Sequence, residues 1–267
     1  MDHRSVVYIV AGVLFLTILG VLVRRFGKRV SEKAASLNKK LKMQMTSNIA
    51  HELRTPVTSI RGYLETLIAC PDMAPEKKQM FLERAYNQTL RLSDLISDMA
   101  LITKIEESPE KLGKEDVDIY DVAAEVFDEF SERIVQKGVT VENLLKPQTV
   151  VKGNRTLVYA ILRNLVENSL KYAGDGVTLH LECYSQIDKL YYFDYYDTGH
   201  GVPEEHLERI FERFYRVSEG RTRDDGGSGL GLSIVRNSVV FHGGDIKVMN
   251  RQGGGLQFFF TLRRKQY

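Results

Sequence analysis

From residue 45 to residue 106 the chain repeats apolar positions at spacings of three and four. Ile49, Leu53, Ile60, Leu64 and Leu67 form one such series, and Leu82, Ala85, Thr89, Leu92, Ile96 and Met99 form a second. That period belongs to an α-helix with one apolar stripe. The run Cys70-Pro71-Asp72-Met73-Ala74-Pro75 interrupts it with two prolines, which close one helix and open the next. The pattern therefore predicts an αα-hairpin. Each hairpin has half an apolar core, so two copies complete a four-helix bundle and a homodimer is expected.

After residues 107–115 (ESPEKLGKE), which read as a linker, the pattern changes. A helix is expected over 120–137, a short strand over 139–141, and a helix over 154–172 with Leu157, Ile161, Leu162, Leu165 and Val166 on its inner side. Residues 178–184 and 190–196 alternate or run apolar as strands. Residues 230–241 read as a helix, and 245–249 and 257–262 as closing strands. Residues 116–267 are numerous enough to bury a core of their own.

The N-terminus has a different pattern. Val6 to Val23 reads VVYIVAGVLFLTILGVLV, without a charge. Such a helix is about 27 Å long, close to the hydrocarbon thickness of a bilayer. A cleaved signal peptide would have a shorter apolar run ending in small residues, whereas this one ends in Val-Leu-Val and meets Arg24, Arg25, Lys28 and Arg29. The basic cluster predicts that the following chain is cytoplasmic. We expect a stub over 1–5, a transmembrane helix over 6–23, and a juxtamembrane helix over 24–44 with a narrow stripe of Val30, Ala34, Leu37 and Leu41. With five residues before this helix, no extracytoplasmic sensor is expected within the sequence itself; either a longer gene product supplies a sensor and a first membrane helix, or the helix senses through a membrane partner.

Charge and cysteine content narrow the function classes. A formal net charge of +2 gives no reason to expect nucleic acid. Cys70 and Cys183 lack metal-ligand spacing and read as ordinary thiols.

Of six histidines, His51 has the most informative neighbours: Ser47-Asn48-Ile49-Ala50-His51-Glu52-Leu53-Arg54-Thr55-Pro56. With Ile49 and Leu53 toward the seam, His51 can face solvent. Imidazole is nucleophilic near neutrality, with an unperturbed pKa of about 6.5. A carboxylate on Nδ1–H leaves the Nε2 lone pair free, and Glu52 is the candidate. Thr55 lies one turn further on the same face, where its hydroxyl could position water for dephosphorylation of a partner. Pro56 removes the donor for the Glu52 carbonyl, so a bend is expected there. This segment resembles the phosphoacceptor box, H-E-x-x-T-P, of the histidine kinase family whose helical hairpin dimerises.

Four later segments suit a nucleotide. Asn164 and Asn168, four apart on one helix face, can offer amide oxygens to Mg²⁺. Lys171 can reach phosphates and Tyr172 can border the base. In Asp197-Thr198-Gly199-His200-Gly201, Asp197 can accept from an adenine amino group, while Gly199 and Gly201 let the backbone approach the base. In Phe211-Glu212-Arg213-Phe214-Tyr215-Arg216, Phe214 can anchor a lid and Arg216 can meet phosphate. Gly227-Ser228-Gly229-Leu230-Gly231-Leu232 opens a helix, and the backbone of Gly227, Gly229, Leu230, Gly231 and Leu232 suits anions. No strand directly precedes these glycines, which argues against a dinucleotide fingerprint.

In order and spacing these segments resemble the N, G1, F and G2 boxes of the ATP-binding domain shared by histidine kinases, the gyrase B subunit, the Hsp90 chaperone and MutL. Gly243-Gly244 fits the family's late glycine pair; Thr198 stands where asparagine is also common. The resemblance implies an α/β sandwich of the Bergerat (GHKL) type after the all-α hairpin. It also implies ATP and Mg²⁺ as ligands, autophosphorylation of His51 and transfer to an aspartate on a separate response regulator, with regulator phosphatase activity. The expected site is a bacterial cytoplasmic membrane, crossed once. Two alternatives remain open: an ATPase of the same fold, and a nucleotide-binding membrane scaffold, both without phosphohistidine.

Overall fold

The computed structural model describes residue 28, residues 47–217 and residues 227–265. The membrane helix expected at 6–23 and the juxtamembrane helix at 24–44, apart from residue 28, lie outside the described residues. Among the described residues, no helix is long and apolar enough to cross a membrane. The chain divides into two compact units, Met1–Thr55 and Pro56–Tyr267.

Helix α1 is described over residues 47–69 and α2 over Pro75–Glu107. α1 continues through Pro56, so the proline does not end the helix. Pro75 occupies the first turn of α2, where a missing N–H costs nothing because that donor has no helical partner. Tyr63 and Phe81 pack across the hairpin at 5.8 Å between ring centroids. The expected stripe on α2 divides. Ala85 is buried with Leu95, Ile102 and Ile105, but Leu82 is 44% and Ile96 53% exposed. One hairpin has too few apolar neighbours to cover both sides of such a stripe.

The segment expected as a linker contains a 3-10 turn, Pro109–Lys111. Leu112 is buried with Ile105 of α2 and Leu157, so the segment packs against both flanking parts of the second unit.

Two strands missed in the sequence, β1 (Glu115–Asp118) and β3 (Val150–Gly153), pair antiparallel. Each is four residues long, too short to establish a period-two pattern. The helix expected over 120–137 is two helices, α3 (Ile119–Glu129) and α4 (Ser131–Gln136). They separate at Phe130, whose backbone (φ −93°, ψ 5°) leaves the helical region and whose side chain is buried. Asp118 caps α3, accepting from Tyr120 N at 3.0 Å.

The main sheet orders its strands β2-β4-β5-β7-β6, from β2 (Thr140–Asn143), β4 (Thr178–Ile187), β5 (Leu190–Asp197), β6 (Ile246–Asn250) and β7 (Leu256–Arg263). Only β2 and β4 are parallel. One face is covered by helices including α5 (Arg155–Tyr172) and α7 (Gly231–Phe241). β7 alternates buried and partly exposed residues, as a half-buried strand must. Its Phe258 and Phe260 sit opposite Tyr195 and Phe193. Phe193 and Phe260 stack at 4.9 Å. Against this aromatic row α5 buries Val158, Ile161, Leu162, Leu165, Val166 and Leu170. That apolar stripe fixes which face of α5 is left for chemistry.

His242, at the end of α7, joins that helix to the start of α5. It is 2% exposed. Its Nδ1 lies 2.6 Å from the Ser238 carbonyl, and its Nε2 accepts from Asn154 N at 3.0 Å. Those partners require the neutral ring protonated on Nδ1. Burial, opposed by the Ser238 bond and reinforced by Lys114, holds its pKa below the usual histidine value. An unfolded histidine binds its proton near pH 6.5, before the folded one does. Stability from this group is therefore full above about pH 6.5 and falls below it, by up to about 1.4 kcal/mol per pH unit, until the lowered folded pKa is reached. Urea unfolding at pH 7 and pH 5 measures this. His242→Gln should flatten the difference, and an unchanged pH dependence would count against it.

Candidate functional site

α5 begins at Asn154, whose Oδ1 accepts from Leu157 N at 3.1 Å. Beyond the apolar stripe it turns Asn164 and Asn168, both half-buried, toward the site, one helical turn apart. The Asn164 amide nitrogen donates to the Ala160 carbonyl at 2.7 Å. The opposite atom, Oδ1, lies only 2.5 Å from where a Cβ would stand on Gly231. Position 231 must be glycine for α7 to start against this amide. Asn168 has no side-chain hydrogen bond among the described residues.

At the end of β5, Asp197 is 3% exposed. Three donors reach its carboxyl: Ser169 Oγ at 2.8 Å, Gly199 N at 3.0 Å and Leu256 N at 3.3 Å. Ser169 Oγ accepts in turn from the Tyr195 hydroxyl at 3.1 Å. Burial pushes that phenol far above its ordinary value, so it acts as a donor. Tyr195 and Asp197 share a strand face by the period of two. Ser169 and Tyr195 were missed in the sequence. Their signal was a hydroxyl at an inner position of α5 followed by a polar pair at alternate positions of a strand.

The next two boxes meet. Phe214 has a left-handed backbone (φ 63°), unusual for a bulky residue, and its N–H donates to the Gly229 carbonyl at 2.8 Å. Arg216 donates to the carbonyl of Gly227, while Gly227 N donates to the Tyr172 hydroxyl at 3.2 Å. Leu230 is fully buried and Leu232 packs against the core. Their side chains anchor the start of α7. Lys171 pairs with Glu167 at 2.6 Å. Burial acts to raise the Glu167 pKa, but Lys171 and Arg163 outweigh it and hold the carboxyl below the usual range.

α2 also reaches this region. Ser228 Oγ lies 3.4 Å from Asp98 Oδ2 and accepts from Leu230 N at 3.2 Å. Burial pushes the Asp98 carboxyl up to about 6; Arg163 and Ser228 pull it down while Glu167 and Asp94 push it further up. Arg213 pairs with Glu106 of α2. No sequence motif marked Asp98 or Glu106, because the contacts join residues far apart in the chain.

His51 lies in the first unit, exposed on α1, with Glu52 half-buried beside it. The Thr55 hydroxyl donates to the His51 carbonyl at 3.3 Å, a common arrangement for threonine within a helix.

Residues 153–266 match the family described as histidine kinase-, DNA gyrase B-, and HSP90-like ATPase, and residues 41–108 match the His Kinase A (phospho-acceptor) domain. The chain belongs to the histidine kinase family. Its C-terminal part is accordingly an ATP-binding domain. Among relatives of this histidine kinase chain, sensor histidine kinase WalK of Bacillus subtilis is 33% identical over 84% of the chain and 37% of WalK. Signal transduction histidine-protein kinase BaeS of Escherichia coli is 31% identical over 91% of the chain and 51% of BaeS. The chain thus spans about a third to a half of the length of these curated relatives. The solved structure of Acinetobacter baumannii histidine kinase AdeS superposes with a TM-score of 0.66 at 25% identity, over 81% of this chain and 98% of that one.

Proposed function

We propose that this chain transfers the γ-phosphoryl group of ATP to His51 and then to an aspartate of a separate response regulator. The observation that carries this reading is an exposed histidine in a His-Glu-x-x-Thr-Pro turn, in one chain with an ATP-binding domain. An ATPase of the same fold would hydrolyse ATP and leave no phosphohistidine. Acid-labile, alkali-stable phosphate on the chain after incubation with Mg·ATP therefore tests the proposal.

Asp197 supplies base recognition. Its two oxygens have room for about four hydrogen bonds, and three are used. The remaining position suits the amino group of adenine. Tyr172 and the Gly199–Gly201 loop border the base, while Arg216, Lys171 and the backbone of Gly227–Leu232 face the phosphates. Asn164 and Asn168 fit Mg²⁺, since amide oxygens are hard donors and the Ala160 bond leaves the Asn164 oxygen unoccupied by its own helix. Once bound there, the ion would neutralise phosphate charge.

In the reaction, His51 Nε2 attacks the γ-phosphorus and the bond to the β-bridging oxygen breaks, releasing ADP. Glu52 takes up the Nδ1 proton's charge by hydrogen bonding. The phosphoryl group then passes from Nε2 to a carboxylate oxygen of the regulator. Positioning supplies most of the rate enhancement, so a signal need only change how often His51 meets the nucleotide.

We assign 45–106 to dimerisation and phosphotransfer, 107–115 to the link and 116–267 to nucleotide binding. The exposed Leu64, Ile68, Leu82, Tyr86 and Leu90 of the hairpin support a homodimer. Residues 6–23 would anchor the chain in the bacterial cytoplasmic membrane, with 24–44 passing its motion to α1.

Thr55→Ala should leave His51 labelling intact and slow dephosphorylation of the regulator about tenfold or more, because the hydroxyl that positions water is lost. Release of phosphate from the phosphorylated regulator measures it, and an equal rate removes Thr55 from that role.

A further inference from the structure

The loop that follows Asp197 is held from behind by a second, glycine-rich turn. β6 and β7 are joined by Arg251-Gln252-Gly253-Gly254-Gly255. Arg251 N donates to the Gly255 carbonyl at 2.9 Å and closes that turn. Its guanidinium lies 4.4 Å from the centroid of the Tyr196 ring. A Cβ on Gly255 would lie 1.7 Å from the Asp197 carbonyl oxygen, and Leu256 N donates to the Asp197 side chain. The turn is packed directly onto the backbone that carries the base-binding carboxyl.

Asn250, the last residue of β6, completes this contact. Its Oδ1 accepts from Val202 N at 3.0 Å, and its Nδ2 donates to Val202 O at 2.7 Å. One side chain thus satisfies both polar groups of one peptide residue, as a neighbouring strand would. Gly201 has φ +67°, and a Cβ there would lie 2.5 Å from Asn250 Oδ1. Gly201 is therefore required twice, by its backbone and by the approach of this amide.

We infer that Asn250 is a positioning residue for adenine recognition: its paired bonds to Val202 fix the Gly199–Val202 loop, and through it the base-selecting geometry around Asp197. The inference rests on the proposed base-binding role of Asp197. Asn250 touches no nucleotide itself. It confines a loop that contains two glycines and would otherwise sample many conformations. Binding energy then goes into base contact instead of loop ordering.

The test compares nucleotide binding to the full chain and its Asn250→Ala variant by calorimetry, using Mg·ATP, Mg·GTP and base-free Mg·tripolyphosphate. Losing two hydrogen bonds of about 1 kcal/mol each corresponds to roughly 10- to 30-fold weaker ATP binding. The ATP-over-GTP preference should shrink, tripolyphosphate affinity should stay the same, and His51 labelling at saturating ATP should keep its rate. A general folding defect would instead weaken all three ligands together. If Asn250→Ala proves too unstable, Asn250→Asp carries the same readout, since it keeps the acceptor to Val202 N but opposes Val202 O with a second oxygen. Unchanged ATP affinity and base preference, or parallel loss of all three ligands in both variants, overturns the inference. A wild-type chain without preference for ATP over GTP would overturn the role of Asp197 as well.

Discussion

Replacing His51 by glutamine abolishes incorporation of γ-phosphate from labelled ATP into the chain, while ATP binding persists. The expected loss is at least a thousandfold, to the limit of detection. Glutamine is similar in length and polarity, but its amide nitrogen has no available lone pair, whereas neutral imidazole has one at Nε2. His51 is exposed, its own carbonyl accepts from Thr55, and the helix runs unbroken from residue 47 to residue 69. The substitution therefore removes a nucleophile without opening a cavity. Nucleotide binding should be unaffected, because Asn164, Asn168 and Asp197 belong to α5 and β5. Acid-labile radioactivity on denatured protein, paired with calorimetric ATP binding, measures both halves. Normal labelling of the variant would remove His51 as the phosphoacceptor.

Asp197→Asn should weaken ATP binding about a hundredfold. The side chain keeps its shape but exchanges an acceptor oxygen for an NH₂ donor. Either orientation then sets that donor against an existing one: Ser169 Oγ on one side, or the N–H groups of Gly199 and Leu256 on the other. If the amide instead turned toward the base, it would face the adenine amino group, a second donor. A buried unmatched donor costs about 1–3 kcal/mol, and two such conflicts correspond to roughly two powers of ten. The residue is buried, so thermal melting must be followed beside binding. Loss of affinity in a variant that still melts cooperatively supports the assignment. Unchanged affinity would show that Asp197 does not read the base.

Some of this architecture is written in local order. The two helical series around Cys70–Pro75 correspond to α1 and α2, and the apolar stripe of α5 is the one buried. β1, β3 and the break at Phe130 were not legible. Short strands lack enough residues to show alternation, and a continuous helical pattern does not record that Phe130 turns into the core. The linker reading failed to anticipate that Leu112 is buried with Ile105 and Leu157, because one leucine in a polar run has no periodicity.

The site divides in the same way. His51, the asparagines of α5, Asp197 and the glycines occur in contiguous runs, since each works through backbone geometry within a few residues. Ser169 and Tyr195 behind Asp197, Asn250 behind Gly201, and Asp98 beside Ser228 are separated by 26 to 130 positions from the residues they touch.

By itself, then, the sequence determined which chemical groups are present, which helices have an apolar side, and which loops can approach a ligand closely. Those properties depend on neighbours along the chain: side-chain period, proline at a helix start, glycine where no Cβ fits. The tertiary structure decided how the Asp197 carboxyl is satisfied, what holds the Gly199–Val202 loop, and why His242 must stay neutral. Each of these is a hydrogen bond closed by folding between distant elements, and its strength depends on burial that no local run of residues specifies.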